Sequence, residues 1–432
     1  MIRILTLILA TFLALPAHST EIQRVTTKSG ITAWLVEEHS IPIVSIEILF
    51  RGGASIDPIE KHGATYLMTG LLEEGAGALD APAYLTATEA LAAQFSFDSS
   101  LDMVSVSATV LRENLDPSME LLRLAITEPR FDDVAFERVR EQVYSILRSN
   151  ENNPRKIAAA RFRALSFGDH VYARTLAGNV ETVRALNTQD MHTAHKSAMV
   201  KSRAYIGVVG DIDAGELEIL LDKLLGDLPD DGPLLPPLTQ TKATGGVEVI
   251  SFPSPQSVAV FGHGGIARDD PDYITAFVMN HILGKGFSSR LNQEVREKRG
   301  LTYGVSSFLV PYHRAALYMG SLSSANDKIT EAMDIVRAEW ARMAESGITA
   351  TELEAAQKYL TGSYPLRFDS NGAIAAILAG LQSADLPMDY VNTRNVAVNT
   401  VTLEDINRVA AYLLQPDNLQ VVIVGEPVEL ED

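Results

Sequence analysis

The stretch at residues 188–210, TQDMHTAHKSAMVKSRAYIGVVG, has a counterpart at residues 403–425, LEDINRVAAYLLQPDNLQVVIVG. In both, an acid (Asp190, Asp405) opens a helical pattern, a short break follows, and an apolar run ends in Val-Gly twenty residues on, at Gly210 and Gly425. A second pair of landmarks lies upstream. Gly52-Gly53 leads to Asp57-Pro58, and Gly264-Gly265 leads to Asp270-Pro271, each after a strand-like run. Gly53 precedes Gly210 by 157 residues and Gly265 precedes Gly425 by 160. Matched landmarks at matched separation predict a tandem duplication. The plainer alternative is two α/β units that share such punctuation by chance.

Between the copies, residues 228–246 (LPDDGPLLPPLTQTKATGG) hold four prolines and three glycines. Proline removes backbone donors and glycine is costly to order, so this segment reads as a linker between domains at 20–227 and 247–432. Within each half the elements do not alternate βαβα. Phe95 and Phe97, then 103–110, read as a hairpin around Asp98-Ser99-Ser100, and 303–310 with 315–322 form its counterpart around Pro311-Tyr312-His313. Helical patterns follow at 112–126, 134–148 and 154–165, and again at 328–344 and 351–360. Hairpin-linked strands with helices segregated beside them predict an α+β fold of two similar halves.

The chain has 432 residues, with 46% hydrophobic and 21% charged, the mix of a globular protein with a sizeable core. Its 36 Lys and Arg face 55 Asp and Glu, a net charge of −19. That balance repels nucleic acid and anionic lipid at long range and favours basic peptides. The absence of cysteine excludes disulfides, thiolate metal ligands and a thiol nucleophile. At the N-terminus, Arg3 precedes an apolar run from Ile4 to Leu15. Pro16 breaks the run, and Ala17 and Ser19 put small residues at a cleavage site. This is the layout of a secretory signal peptide over residues 1–19, too short to be a stable membrane anchor. A periplasmic protein is expected, with an extracellular one as the second choice.

A scan for catalytic motifs finds no G-x-S-x-G elbow, no H-E-x-x-H pair and no phosphate-binding G-x-x-x-x-G-K-[ST] loop. His192 and His195 stand three apart on a helical pattern and could face one ion, with Asp190 the nearest acid in sequence. The competing reading is a pair of surface or half-buried histidines.

At residues 62–77, HGATYLMTGLLEEGAG, and 280–309, NHILGKGFSSRLNQEVREKRGLTYGVSSFL, the chain resembles the insulinase/pitrilysin family of zinc peptidases, in particular its mitochondrial-processing-peptidase-like bacterial branch. The resemblance extends to 169–191 and to VVGDID at 208–213, and the block from Ser289-Arg290-Leu291 to Gly300-Leu301-Thr302-Tyr303 is specific. It implies two homologous α+β halves forming one side of a clam-shell chamber. Family members hold zinc with H-x-x-E-H and a later Glu, and the motif's Glu acts as base on the zinc-bound water. Aligned on Gly63 and Gly75, the motif positions fall on Tyr66, Thr69 and Gly70, and the later carboxylate near Ser145 or Ile146, between Glu141 and Glu151. His62, one turn before Tyr66, does not restore the set. No metal or other cofactor is therefore expected in this chain. Glu73 and Glu74 are expected to be solvated or to face a partner.

The other part of the family's site is retained. Active members use an Arg and a Tyr seven residues apart to hold the substrate backbone, and here they are Arg296 and Tyr303. Arg296 is expected near the end of a helix stopped by Gly300, with Tyr303 opening the next strand. A guanidinium and a phenol would donate to carbonyl oxygens where negative charge develops. The competing reading pairs Arg296 with Glu294 or Glu297 and leaves Tyr303 half in the sheet.

Three functional readings follow. The first is a non-catalytic, substrate-binding subunit of a heterodimeric periplasmic zinc peptidase, with zinc and base on a homologous H-x-x-E-H partner. The second is a structural or peptide-binding protein that has lost proteolysis, as some family members in a respiratory complex have. The third is an autonomous peptidase with relocated ligands around His192 and His195.

Overall fold

Alternation along the strands builds the first sheet. In the computed structural model, which describes residues 21–428, strands β1 (Gln23–Thr26), β2 (Thr32–Glu37), β3 (Ile43–Arg51), β4 (Gln94–Ser99), β5 (Met103–Leu111) and β6 (Ala204–Gly210) pair in the order β1-β2-β6-β3-β5-β4. On β3, Val44, Ile46, Ile48 and Phe50 are buried, and on β5 Val104, Val106, Ala108 and Val110. The residues between them, such as Glu47, Ser105 and Ser107, point to the opposite, polar face. That is the alternation of antiparallel strands that turn one face to the first core.

The second sheet repeats the first. Strands β7 (Gly246–Ser251), β8 (Gln256–Gly264), β9 (Thr302–Pro311), β10 (Ala316–Ala325) and β11 (Gln420–Gly425) pair as β9-β10-β8-β11-β7. Read from β7, this is the order of the first sheet from β2. The one parallel pair falls in the same place in each, β2 with β6 and β7 with β11. The duplication thus holds at the level of topology, and the fold is α+β in two similar halves. Both hairpins are present. The first turns at residues 100–102, two residues later than the sequence suggests, because Asp98 and Ser99 still pair with β5.

The first half includes helices α1 (Ala64–Thr69), α2 (Leu115–Thr127), α3 (Asp133–Glu151), α4 (Pro154–Phe167) and α5 (Thr188–Ala198), besides helical segments at Ala81–Ala90, Val180–Arg184 and Ala214–Leu225. The second half has α6 (Tyr273–Asn280), α7 (Ile329–Ser346), α8 (Ala350–Gly362), α9 (Asn371–Ser383), α10 (Tyr390–Thr400) and α11 (Leu403–Leu413). The acids that flagged the repeat now have a reason. Asp190 and Asp405 are third residues of capping boxes, accepting from the backbone N–H of Asn187 (2.9 Å) and Thr402 (3.0 Å).

Each sheet is completed by a helix from the other half. Strand β6 is buried on both faces: Ile206 and Val208 join the first core, whereas Val209, with Trp34 and Val36, packs against Ala375, Leu378 and Leu381 of α9. Reciprocally, Val422 and Val424 of β11 pack against Ala158, Phe162 and Phe167 of α4. Two covered faces explain why both strands are almost uninterruptedly apolar. The approach is close. A Cβ on Gly207 would lie 2.1 Å from the Ala375 carbonyl oxygen, and one on Gly262 would meet Phe162 Cζ at 3.0 Å and the Tyr318 carbonyl at 2.4 Å.

The linker carries no regular structure until Gly246 opens β7, yet it is tied down. Lys242 N–H donates to the Ser166 carbonyl (2.7 Å) and Thr239 N–H to that of Arg314 (2.9 Å). The two hairpin turns also meet, since Asp102 accepts from His313 N–H (2.9 Å) and from the Tyr172 hydroxyl (2.5 Å). Residues 1–19, read as an export signal, lie outside the described residues.

Gly207→Ala should therefore destabilise the chain by about 2 kcal/mol or more in chemical unfolding, because backbone on an opposing helix cannot yield as a side-chain tip would. An unchanged midpoint would show that α9 does not bear on β6.

Candidate functional site

The zinc-motif region begins with a buried cap. Asp57 accepts from Gly63 N–H (3.0 Å), Thr65 N–H (3.2 Å) and the Thr65 hydroxyl (2.6 Å), which starts α1. Burial pushes its carboxyl up to about 6 despite these donors. Tyr66 and Thr69 follow on α1, and the Thr69 hydroxyl is spent on the Tyr66 carbonyl at 2.9 Å. Gly70 lies where α1 crosses α3, with Val139 Cγ1 3.2 Å from the place a Cβ would take. On α3, the Ser145 hydroxyl donates to the Glu141 carbonyl (3.1 Å) and Ile146 is exposed.

A cavity of about 580 Å³ opens beside these positions, bordered by Tyr66, Ile146, Glu151, Lys156 and Arg163. Arg163 Nε is buried without a hydrogen-bond partner, and burial lowers its basicity. The family's zinc does not fit here. A phenol, an occupied hydroxyl and a glycine offer no imidazole or carboxylate, and two cations against one carboxylate oppose a dication. Among the described residues, no three His, Asp or Glu side chains gather where they could hold an ion. Sequence reasoning missed Arg163 and Lys156, which carry no motif. Glu73 is exposed, but Glu74 pairs with Arg138 of α3, so it faces its own chain.

His195 does not join a metal site with His192. It is buried, its Nε2–H donates to the Ile126 carbonyl of α2 (2.8 Å), and both rings stand edge-on to Phe131. Burial holds His195 down to about 4, and burial with the nearby Arg174 does the same to His62.

In the second half, the chain between α6 and β9 makes two widened helical turns, His281–Lys285 and Asn292–Glu297, with i→i−5 bonds such as Lys298 N–H to the Gln293 carbonyl (3.0 Å). Arg290, between them, is structural. Its guanidinium grips Glu352 at the start of α8 with two bonds of 2.6 and 2.9 Å and also reaches the Gly347 carbonyl. Burial alone would raise Glu352, but these bonds hold it down at about 2.

Arg296 and Tyr303 are free of such ties. Gly300, with φ +61°, stops the turn, its N–H bonding the Arg296 carbonyl at 2.9 Å. Arg296 lies 3.5 Å from Glu297 and 5.3 Å over the ring of Phe287. Glu294, the other acid considered for it, is taken by Lys298 and Arg299. A bulge between Thr302 and Val305 turns Tyr303 outward, so the ring is 89% exposed and not half in the sheet. Phe287, also exposed, is the neighbour that sequence reasoning missed. It lies within the resemblance block, but nothing in the pattern marks it.

Two similar α+β halves, with Tyr66, Thr69 and Gly70 at the motif positions of the first and Tyr303 exposed in the second, point to a zinc-peptidase fold. Comparison with known proteins shows the family. The model of the insulinase family (peptidase family M16) matches residues 33–179, and that of the peptidase M16 inactive domain matches 185–360. The chain belongs to this family. It is 24% identical over 94% of both chains to the non-peptidase homolog YmxG of Helicobacter pylori. An uncharacterized zinc protease of Streptomyces coelicolor is also 24% identical, over 91% of this chain and 87% of its own. A crystal structure of a peptidase M16 inactive domain from Pseudomonas fluorescens superposes with a TM-score of 0.89 at 27% identity, covering 95% of this chain and all of that one.

Two outcomes are expected. The triple change Tyr66→His, Thr69→Glu, Gly70→His should bind no stoichiometric zinc by elemental analysis and should lower the melting temperature, because the new imidazole meets Val139. Recovery of tight zinc would mean that the site needs only its motif. His62 and His195 stay neutral when folded but protonate below about 6.5 when unfolded. Their stabilisation is complete above that pH and is lost as pH falls towards 4. Asp57, raised when folded, works the other way over 4 to 6, and two histidines outweigh it. His195→Gln should therefore flatten the loss of stability between pH 6.5 and 4, and an unchanged slope would refute the assignment.

Proposed function

We propose that this chain is the non-catalytic, substrate-binding subunit of a heterodimeric periplasmic zinc peptidase acting on peptides. A homologous H-x-x-E-H chain would supply zinc and general base, and this chain would supply Arg296 and Tyr303 to the substrate backbone. The observation that carries the reading is the asymmetry between the halves. The motif positions offer zinc nothing, whereas Tyr303 is held outside the sheet by a bulge and the Arg296 guanidinium, among the described residues, pairs with no acid but Glu297 at the surface. Exposing a tyrosine forgoes burial of its ring, so a ligand or partner surface there recovers what folding leaves out. The periplasmic location rests on the N-terminal signal, and the net charge favours basic peptides.

The test is elemental analysis and peptidase assay of the mature chain, alone and mixed with an H-x-x-E-H homologue from the same source. The expected result is no zinc and no activity alone, and activity in the mixture. Arg296→Ala or Tyr303→Phe should then lower the mixture's kcat by about 100-fold, the range of single oxyanion donors, with the dimer intact. Full activity of both variants would leave the non-proteolytic, peptide-binding reading in its place.

A further inference from the structure

On the far flank of the exchanged helix α9, between it and α6 and α10, lies a cavity of about 630 Å³. Its charged lining is one-sided, with Arg268, Arg367 and Arg394 against the single carboxylate of Asp369 at the exposed rim. Among the described residues, none of the three guanidiniums has a carboxylate within 4.0 Å. Nearby acids are engaged elsewhere or stand apart: Asp272, for example, takes Arg408 and the Tyr412 hydroxyl.

The two inner arginines are braced on aromatic faces. Arg268 lies 4.3 Å over the Tyr273 ring and 5.4 Å from that of Tyr390, and it donates to the Tyr390 hydroxyl at 3.0 Å. Arg394, 6% exposed, lies 4.5 Å over Tyr364 and 5.3 Å from Phe277. Its Nη1 donates to the Leu360 carbonyl (2.7 Å) and to Asn395 (2.9 Å), leaving Nη2 and Nε unused. Aromatic stacking fixes the plane of a guanidinium without neutralising it. A buried guanidinium with spare donors and no counter-ion costs folding energy, which an anion in the cavity would return. The remaining wall is apolar, including Ile274, Ile377 and Leu381.

We infer that this cavity binds a carboxylate carrying an apolar body, with the carboxylate held by Arg268 and Arg394 and the body laid along α9. Two sources share that chemistry, a free amphiphilic acid and the C-terminus of a peptide ending in an apolar residue. The volume lies within the range of small-ligand sites. The site is separate from Arg296 and Tyr303 and does not depend on a zinc-bearing partner.

Calorimetric titration of the mature chain with octanoate and octanamide tests it, together with a hexapeptide ending in Leu as the free acid and as the C-terminal amide. The expected result is that octanoate or the free-acid peptide binds, and that the matching amide binds about tenfold more weakly or not at all. Binding of octanoate alone identifies a free acid, and binding of the peptide identifies a chain terminus. Arg268→Gln should weaken binding by about tenfold at an unchanged melting temperature. Arg394→Gln should do the same if it folds, and the outcome at Arg268 stands without it. Equal binding of acid and amide, no binding of any probe, or indifference to Arg268→Gln would overturn the inference.

Discussion

Each half of this molecule is finished by a helix that belongs to the other. Helix α4 covers the outer face of the second sheet through Phe162 and Phe167, and α9 covers the outer face of the first through Ala375, Leu378 and Leu381. Large apolar side chains stabilise a fold by roughly 2–3 kcal/mol each when fully buried. Undocking either helix would therefore strip several such contacts from the sheet beneath it. The glycines beneath the exchanged helices, Gly207 and Gly262, are what permit the closeness. Neither sheet is complete without the other half, so the proline-rich linker joins parts of one structure.

That arrangement places the two candidate regions in contrasting settings. The motif region sits on α1, a helix of six residues pressed against α3 through Gly70 and Val139. Without imidazoles, the adjoining cavity is left with Lys156 and the half-buried Arg163 against Glu151, an environment hostile to a dication. The region of Arg296 and Tyr303 is built on the opposite plan. Widened turns, a left-handed glycine and a bulge all interrupt regular hydrogen bonding there, and the outcome is an outward Tyr303 and a guanidinium at Arg296 left near the surface. Irregularity of this sort costs stability, and it stands where the proposed peptide contact lies.

The cavity beside α9 uses a third kind of setting, guanidiniums held on aromatic faces with no acid opposite. Its position on the exchanged helix means that a ligand there would lean on the element that completes the first sheet.

Much of the fold was legible in the sequence because it depends on local and periodic signals. Capping acids at Asp190 and Asp405, alternation on β3 and β5, and the punctuation around Gly210 and Gly425 act over a few residues each, and their repetition exposed the duplication. The loss of the zinc motif was legible for the same reason, since Tyr66, Thr69 and Gly70 lack the donor atoms whatever surrounds them. Tertiary structure alone decided the rest. The exchange of α4 and α9 depends on which apolar face meets which sheet, and periodicity says that a face is buried without saying against what. Arg290 and Arg296 look alike in sequence, but one is consumed by Glu352 and the other left at the surface. Arg268 and Arg394 stand 126 positions apart in the chain, and only long-range packing brings them to one cavity without a carboxylate between them.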